Sequence, residues 1–358
     1  MQLLKVALSI LAGLSFAWLA GVHNLENASW YIFVVASLLV IGLYASTYSI
    51  DLKEARQHFK IILSAVTIGV VLKAVIIGGS LALLFQDPYF LILGITVAQI
   101  DPLSVAHLLK GSRMTKKAKT ILASWASFDD PITVILSLYA PLIVMQFTGL
   151  ELEAITGNQD TTSNITAYLR ELGLNLGLAA QAFLLYTVVR YYTKEISAWL
   201  VAGVSLAIYV LLALAFSISV LYFMMLGIAL IGLFLRPPKV VKLIDHAIMW
   251  AFCAAALLLG MLLVGGVDIW KGIALGVAAY FAQVIVGFLL TRSLPKKDRW
   301  HISFAQQNGI TAIILALLFE PVHPGTVAIV APAILVVNGL HWVMNRLVDK
   351  HLLADRNK

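Results

Sequence analysis

Four ionisable residues lie within otherwise long apolar stretches of the sequence: Lys73, Asp101 and the adjacent pair Asp129 and Asp130. An ionisable group in hydrocarbon is energetically costly and by default marks a binding site or a pathway. Adjacent carboxylates in a low-dielectric pocket resist double ionisation, and carboxylate oxygens are good ligands for a hard cation such as sodium. A proton and a cation are therefore predicted to compete for the pair. If the site reorients only when one of them is bound, competition alone gives antiport.

The same stretches contain two signs of interrupted helices. Counting about 1.5 Å per helical residue, Lys73, Asp101 and the aspartate pair each lie near the middle of their spans. Pro102 directly follows Asp101 and removes a backbone donor there. A second polar interruption is formed by Gln306, Gln307, Asn308 and Gly309. Interrupted helices in corresponding positions of two halves are the strongest sequence indication of a transporter site.

Composition excludes several classes of protein. The chain has 358 residues, of which 61% are hydrophobic and only 12% are charged. Soluble domains contain about 25% charged residues, and disordered chains are polar, so both classes are excluded. Cys253 is the single cysteine, which excludes a disulfide framework and a multi-cysteine metal site.

The hydropathy pattern predicts an all-α polytopic membrane protein with about 12 transmembrane helices. A membrane-spanning helix needs about 20 apolar residues. Runs of that kind, some with one or two buried charges, cover 6–25, 27–50, 60–86, 89–109, 119–147, 172–189, 196–235, 246–267, 272–291, 302–319 and 321–345. The run 196–235 is long enough for two helices, and we predict its turn near Ser217–Ser219.

The positions of the basic residues support this count. With the N-terminus in the cytoplasm, nearly all of the 25 Lys and Arg residues fall in cytoplasmic segments, as the positive-inside rule requires. Only Arg170 and Lys271 lie outside, and Lys73 lies within a span. Both termini are therefore predicted to be cytoplasmic. The net charge of +7 reflects this rule, so we expect membrane lipid and no nucleic acid as a partner.

Spans 1–5 and 8–12 are interpreted as two inverted five-helix repeats. In that arrangement the broken helices 4 and 11 cross at mid-membrane, and span 3 corresponds to span 10. Gln283 then lies at about the depth of Lys73.

Five segments resemble the cation/proton antiporter superfamily, and the sodium/proton antiporters in particular. They are YASTYSIDLKEARQHFK (44–60), QIDPLSVAHLLK (99–110), SFDDPITV (127–134), AQVIVGFLLTRSL (282–294) and AQQNGITAIILAL (305–317). The second is similar to the family's broken helix 4, usually a Thr-Asp-Pro motif. The third is similar to its ion-binding Asp-Asp motif, and the fifth to its broken helix 11. The resemblance covers most of the chain.

The resemblance implies a secondary transporter, not an enzyme, that exchanges sodium for protons without a cofactor and serves pH homeostasis. It implies a homodimer in which a core (about 60–147 and 268–345) moves against a scaffold (about 1–50 and 172–264). We expect a prokaryotic plasma membrane location and no cytoplasmic regulatory domain. Asp130, Asp129 and Asp101 are then the cation- and proton-binding residues, and Asp130 is the essential carrier. The supporting residues are Lys73, Gln99, Ile100, Gln283, Gln306, Gln307 and Asn308.

Three departures from the family pattern concern the site. One is that the Arg-Gly-Glu of many members' helix 11 is replaced around Asn308 and Gly309. Gln283 occupies the place of a lysine found in electrogenic members, and Ile100 replaces the threonine of Thr-Asp-Pro. Asp129 therefore either stays protonated or pairs with Lys73 from a neighbouring helix. Without the helix-10 lysine, we expect one proton per cation and hence electroneutral exchange.

Other readings remain open at this level. Sodium is the expected cation, but the sequence does not separate it from lithium or potassium, since selectivity depends on cavity size and ligand number. A potassium/proton antiporter or a sodium-coupled solute symporter would share the fold. A remote alternative is an intramembrane aspartyl protease using Asp101 and Asp130. Asp101 could also serve only as a helix cap. Gln283 and the 306–308 cluster could serve only to hydrogen-bond neighbouring helices to each other.

Overall fold

The computed structural model of the chain describes residues 2–22, 24–48, 50, 56–112, 114–148, 165–192 and 198–354. All regular structure in these residues is helical. We number the helices α1 (Gln2–Ala20), α2 (Tyr31–Tyr48), α3 (Phe59–Phe85, with a π-helical turn at Ala65–Gly69), α4 (Phe90–Thr96), α5 (Pro102–Gly111), α6 (Lys116–Thr148), α7 (Ile165–Tyr192), α8 (Ala198–Leu221), α9 (Met225–Phe234), α10 (Pro238–Leu262), α11 (Ile269–Leu290), α12 (Lys296–Ser303), α13 (Ile310–Phe319) and α14 (Thr326–Ala354). Short 3₁₀ turns occupy Leu25–Asn27 and Leu263–Gly265.

Many of these helices have the length and apolar character of membrane spans. Among the described residues, seven helical stretches are long and apolar enough to cross a bilayer: Tyr31–Tyr48, Phe59–Phe85, Lys116–Pro141, Leu169–Val189, His246–Gly265, Ile269–Leu290 and Thr326–Val348. Four shorter apolar helices accompany them: Lys5–Ala20, Leu206–Leu221, Met225–Phe234 and Ile310–Phe319. The chain is thus an all-helical, multi-pass membrane protein, and the count of 12 spans remains a prediction.

Both predicted helix interruptions are present. Residues 97–101 separate α4 from α5, and residues 304–309 separate α12 from α13. Pro102 is the first residue of α5, where its missing N–H costs nothing. Proline and the run Gln-Gln-Asn-Gly therefore identified both interruptions correctly.

The turn predicted at Ser217–Ser219 is wrong, since α8 continues through it to Leu221. The chain instead turns at 222–224, where Phe223 adopts a left-handed φ of 53°. Glycine is the usual residue in that conformation. An aromatic residue there gives no sequence signal, and the surrounding hydropathy is uniform.

The helices form two packed groups. In the first, α1 packs along α10, and α2 contacts α9 and α10. In the second, α11 packs against α14 and α3, and α3 packs against α4. At the α3–α4 contact, a Cβ on Gly78 would lie 2.7 Å from Leu91 Cα, so only glycine allows this close approach. The groups meet where α2 contacts α6 and α13.

Large apolar side chains face outward around the bundle. Trp18, Leu83, Trp250 and Leu335 are each more than 70% exposed. Many other large apolar side chains are exposed as well, as expected for a surface that faces lipid.

Candidate functional site

The centre of the candidate site is the aspartate pair on α6. Asp129 and Asp130 are both buried, with exposures of 0% and 1%. Successive residues of a helix are rotated by about 100°, so the two carboxylates face different neighbours. Each has one oxygen, Oδ1, without a hydrogen-bond partner among the described residues. Such an oxygen is costly to bury unless a ligand or a proton satisfies it.

Asp129 is held by an ion pair and a backbone amide. Lys73 Nζ on α3 lies 2.8 Å from Asp129 Oδ2, with both side chains fully buried. The backbone N–H of Ile100 donates to the same oxygen at 2.8 Å. The Lys73 ammonium also lies 5.5 Å from the centre of the Trp125 ring, a favourable cation–π distance. Of the two alternatives raised for Asp129, pairing with Lys73 is the arrangement that the structure contains.

Asp130 is surrounded by hydroxyl groups. Ser46 on α2 donates to Asp130 Oδ2 at 2.9 Å, and the Thr311 side chain on α13 also interacts with this carboxylate. Asp101 is close enough for its charge to act on Asp130. Asp130 therefore lies where α2, α6, α13 and the interruption before α5 converge.

The two interrupted helices cross beside the aspartates and satisfy each other's backbone groups. The Asp101 N–H donates to Gln307 O at 2.9 Å. The Gln306 side chain donates to Val97 O at 3.1 Å and to Gln99 O at 2.9 Å. Asn308 Nδ2 donates to Val97 O at 3.1 Å. Non-helical backbone at membrane depth is tolerated only when its polar groups are satisfied in this way.

Asp101 caps α5 as well as lying near Asp130. Its Oδ2 accepts from Ser104 N at 2.7 Å and from Ser104 Oγ at 2.6 Å. A Cβ added to Gly309 would overlap the Asp101 carboxylate. Asp101 is thus fixed by its own helix and by the neighbouring interruption, and its role in binding the cation stays a prediction.

For the remaining predicted residues, the described side-chain hydrogen bonds of Gln283 and Gln99 go to backbone groups. Gln283 on α11 donates to Ile302 O at 3.3 Å, and none of its described hydrogen bonds reaches an aspartate. With its amide oriented to satisfy both neighbours, Gln99 donates to Thr96 O and accepts from Ala312 N. Gln307 contributes its backbone carbonyl. These contacts agree with a supporting role and do not place the three side chains on a carboxylate.

Ser46 and Thr311 were missed by the sequence reasoning. A lone hydroxyl residue in an apolar helix is common and gives no sequence signal of its own. Two more buried hydroxyls, Thr133 and Ser137, lie one and two turns after the pair on α6 and have no described partner. Their positions fall in the angular sector between Asp129 and Asp130, at about 100° per residue.

The donor set suits a weakly held cation better than a resident metal. Carboxylate and hydroxyl oxygens are hard ligands, and those near the pair are Asp130, Asp129, Ser46, Thr311 and Thr133. In the described part of the chain, no three His, Cys, Asp or Glu side chains are arranged to hold a metal ion.

A cavity of about 290 Å³ lies elsewhere, lined by Leu25, Glu26, Met261, Glu320 and their neighbours. The aspartates do not line this cavity.

Glu320, one of the residues that line the cavity, caps the start of α14. Its carboxylate accepts from Gly325 N at 2.8 Å and from Val327 N at 2.6 Å. Burial raises the pKa of the Glu320 carboxyl above its ordinary value. Because both Glu320 oxygens are engaged, we assign this residue a structural role.

Comparison with known proteins gives a match to a family profile and matches to solved structures. The family profile described as "Sodium/hydrogen exchanger, transmembrane" matches residues 2–339. No curated protein sequence matches the chain. Among solved structures, the fold is similar to that of the sodium proton antiporter MjNhaP1 from Methanocaldococcus jannaschii at pH 8, with a TM-score of 0.67 and 15% sequence identity. The match covers 95% of this chain and 92% of that one.

Proposed function

Because this chain belongs to the sodium/hydrogen exchanger family, we propose that it is a secondary antiporter exchanging sodium for protons, with lithium as a second candidate cation. The observation that carries the proposal is the buried pair Asp129 and Asp130, each with one unpartnered oxygen, beside the crossing of two interrupted helices. The members of this family are transporters, and the alternative of an intramembrane aspartyl protease is therefore excluded.

Competition at Asp130 supplies the coupling. A buried carboxylate without a counter-charge is strongly disfavoured, so Asp130 binds either a proton or a cation. The hydroxyls of Ser46 and Thr311 provide further oxygens at the same place. If the empty, charged carboxylate does not cross the membrane, every cation carried one way is exchanged for a proton carried the other way.

The Lys73–Asp129 pair sets the net charge that is moved in each exchange cycle. The ammonium and the carboxylate neutralise each other at 2.8 Å, and the Ile100 N–H gives the carboxylate a second contact. If this pair persists through the cycle, Asp130 alone changes its occupant. One sodium ion then replaces one proton, and exchange is electroneutral.

Alternating access requires one group of helices to move against the other. We propose that the core (about 60–147 and 268–345) moves against the scaffold (about 1–50 and 172–264). Ser46 on α2 reaches Asp130 on α6, and Tyr31 Oη on α2 donates to Leu317 O on α13 at 2.8 Å. Both bonds join scaffold to core, so they must break in the opposite-facing state.

We further propose that spans 1–5 and 8–12 are inverted repeats. Tyr89, which precedes α4, is hydrogen-bonded through its hydroxyl to Thr326 Oγ1 at the start of α14 at 2.8 Å. Asp298, near the start of α12, accepts from Thr115 Oγ1 just before α6 at 2.6 Å. The beginning of each interrupted helix is thus tied to the beginning of the other half's last helix, as two-fold pseudosymmetry predicts.

The assembly and location follow the same inference. We propose both termini in the cytoplasm, since the basic residues follow the positive-inside pattern. The family resemblance is the basis for proposing a homodimer in a prokaryotic plasma membrane.

Cation-induced proton movement in everted vesicles tests the proposal. The wild-type protein should dissipate an imposed pH gradient when sodium is added. A parallel scan with lithium and potassium distinguishes a sodium exchanger from a potassium exchanger by which cation gives the response. Asp130→Asn should abolish the response. Asp268→Asn is the matched control, because Asp268 caps the exposed end of α11 and asparagine caps equally well. Equal exchange by the wild type and Asp130→Asn would remove Asp130 from the mechanism.

A further inference from the structure

A row of polar side chains on α14 lies outside the site described so far. Asn338, His341 and Asn345 recur at helical spacing, which places them on one face of the helix. His341 is buried, with 6% exposure, and the two asparagines are half-buried. All three contact the interrupted segment between α12 and α13. We call them the α14 polar row.

Asn338 binds both backbone groups of Asn308. Asn338 Oδ1 accepts from Asn308 N at 3.1 Å, and Asn338 Nδ2 donates to Asn308 O at 3.0 Å. One side-chain amide therefore replaces both partners that an uninterrupted helix would have supplied. An unsatisfied buried backbone group costs about 1–3 kcal/mol, so this two-point contact fixes where the interruption lies.

The other end of the interrupted segment is held by the same helix. His341 Nδ1 lies 3.0 Å from Phe304 O, and Asn345 Nδ2 donates to that carbonyl at 3.2 Å. The two ends, Phe304 and Asn308, are thus both anchored to α14. The register of the segment against α14 is fixed by polar contacts at two points.

From Asn308 a short chain of contacts leads to the carboxylates. Asn308 Nδ2 donates to Val97 O in the other interruption. The preceding residue, Gln307, accepts from the Asp101 N–H. Ile100, next to Asp101, donates its N–H to Asp129. A displacement of Asn308 would therefore move the backbone that contacts Asp129 and carries Asp101.

We propose that Asn338 is a positioning residue for the cation site, acting through the backbone of Asn308 on the crossing of the two interrupted helices. This inference rests on the proposed function. Asn338 lies on α14 and acts through others, so its loss should weaken cation binding while leaving the bundle folded.

The test compares Asn338→Leu and Asn338→Asp with the wild type and with Leu335→Ala. Leu335 is 72% exposed on the outer face of the same helix, so its truncation should leave exchange unchanged. Sodium-dependent proton movement in proteoliposomes gives KM and maximal rate between pH 6 and pH 9. Size-exclusion profiles report whether each variant folds.

Asn338→Leu should raise the KM for sodium at least about tenfold, with a smaller effect on the maximal rate. Asn338→Asp should behave differently, because a protonated carboxyl group can both donate and accept as the amide does, whereas a carboxylate can only accept. Its activity relative to the wild type should therefore recover as pH falls. This pH signature does not arise from a merely structural role.

Two results would overturn the proposal. One is a wild-type KM in Asn338→Leu, and the other is a relative activity of Asn338→Asp that does not vary with pH. If Asn338→Leu fails to fold, the near-isosteric Asn338→Asp variant decides alone. Absence of cation–proton exchange in the wild type would instead refute the proposed function, and the two failures are thereby distinguished.

Discussion

The two aspartates are adjacent in sequence but differ in what surrounds them. Asp129 is paired with a buried ammonium group, whereas Asp130 meets hydroxyls and a nearby carboxylate. The charge of Asp129 is therefore compensated by protein and that of Asp130 is not, which is why we propose Asp130 as the carrier of the transported ion. This division of roles follows from the 100° rotation between successive helical residues and from the positions of α2 and α3.

Lys73→Gln should affect both stability and pH dependence. Removing one partner of a buried ion pair leaves an uncompensated charge and costs about 3–5 kcal/mol. Asp129 can avoid this cost by binding a proton. The cation must then compete with an additional proton, so the pH profile of exchange should shift toward higher pH. Thermal unfolding and pH-resolved exchange measure the two effects, and Lys73→Arg, which keeps the charge, is the control. An unchanged pH profile would exclude a role for the pair.

Ser46→Ala should raise the KM for sodium by about tenfold at fixed pH. The variant loses one hydrogen bond to a carboxylate, and such bonds contribute about 1.5–3 kcal/mol. Ser37→Ala is the matched control, since Ser37 lies on the same helix and its described hydrogen bond goes to Phe33 O of that helix. If the two variants have the same KM, the bond between α2 and Asp130 does not influence cation binding.

At the scale of helices, the interruptions were predictable, but their partners were not. Pro102 and the run 306–309 break helical hydrogen bonding by their own chemistry, so local sequence was sufficient. Asn338 lies on a different helix and completes the interruption only after the chain has folded. Its sequence neighbourhood is that of an apolar helix with a few polar residues, and nothing in it indicates a contact with the interruption.

Gly309→Ala should lower exchange at least about tenfold. The added methyl would overlap the Asp101 carboxylate, which is already held by Ser104, and overpacking of this kind costs about 1–3 kcal/mol. Gly339→Ala is the control, because no atom lies within 4 Å of a Cβ at that position. Full activity in Gly309→Ala would mean that Asp101 can shift without consequence.

At the scale of the whole molecule, sequence reasoning succeeded where lipid constrains the chain. Charge is excluded from spans, so the membrane class and the burial of Lys73, Asp101, Asp129 and Asp130 were predictable. The count of 12 spans and their orientation stay predictions. The turn after Leu221 was not predictable, because a uniformly apolar run contains no charge or glycine to mark it. The Lys73–Asp129 pairing stayed ambiguous because it joins residues on separate helices.

Exchange by the intact protein should carry no net charge. A neutral Lys73–Asp129 pair leaves Asp130 as the single carrier, so one cation replaces one proton. In proteoliposomes, an imposed membrane potential should not alter the sodium gradient at which proton movement stops. A potential-dependent balance point would show that Lys73 or Asp129 also releases a proton in each cycle.

The central claim is that cation and proton compete for one carboxylate site, and proton release on sodium binding tests it most directly. Calorimetry on the purified protein, in buffers with different ionisation enthalpies, gives both the affinity and the number of protons released. The account predicts about one proton released per sodium bound, an affinity that weakens as pH falls, and the loss of both in Asp130→Asn. Sodium binding with no proton release and with the same affinity from pH 6 to pH 9 would contradict it.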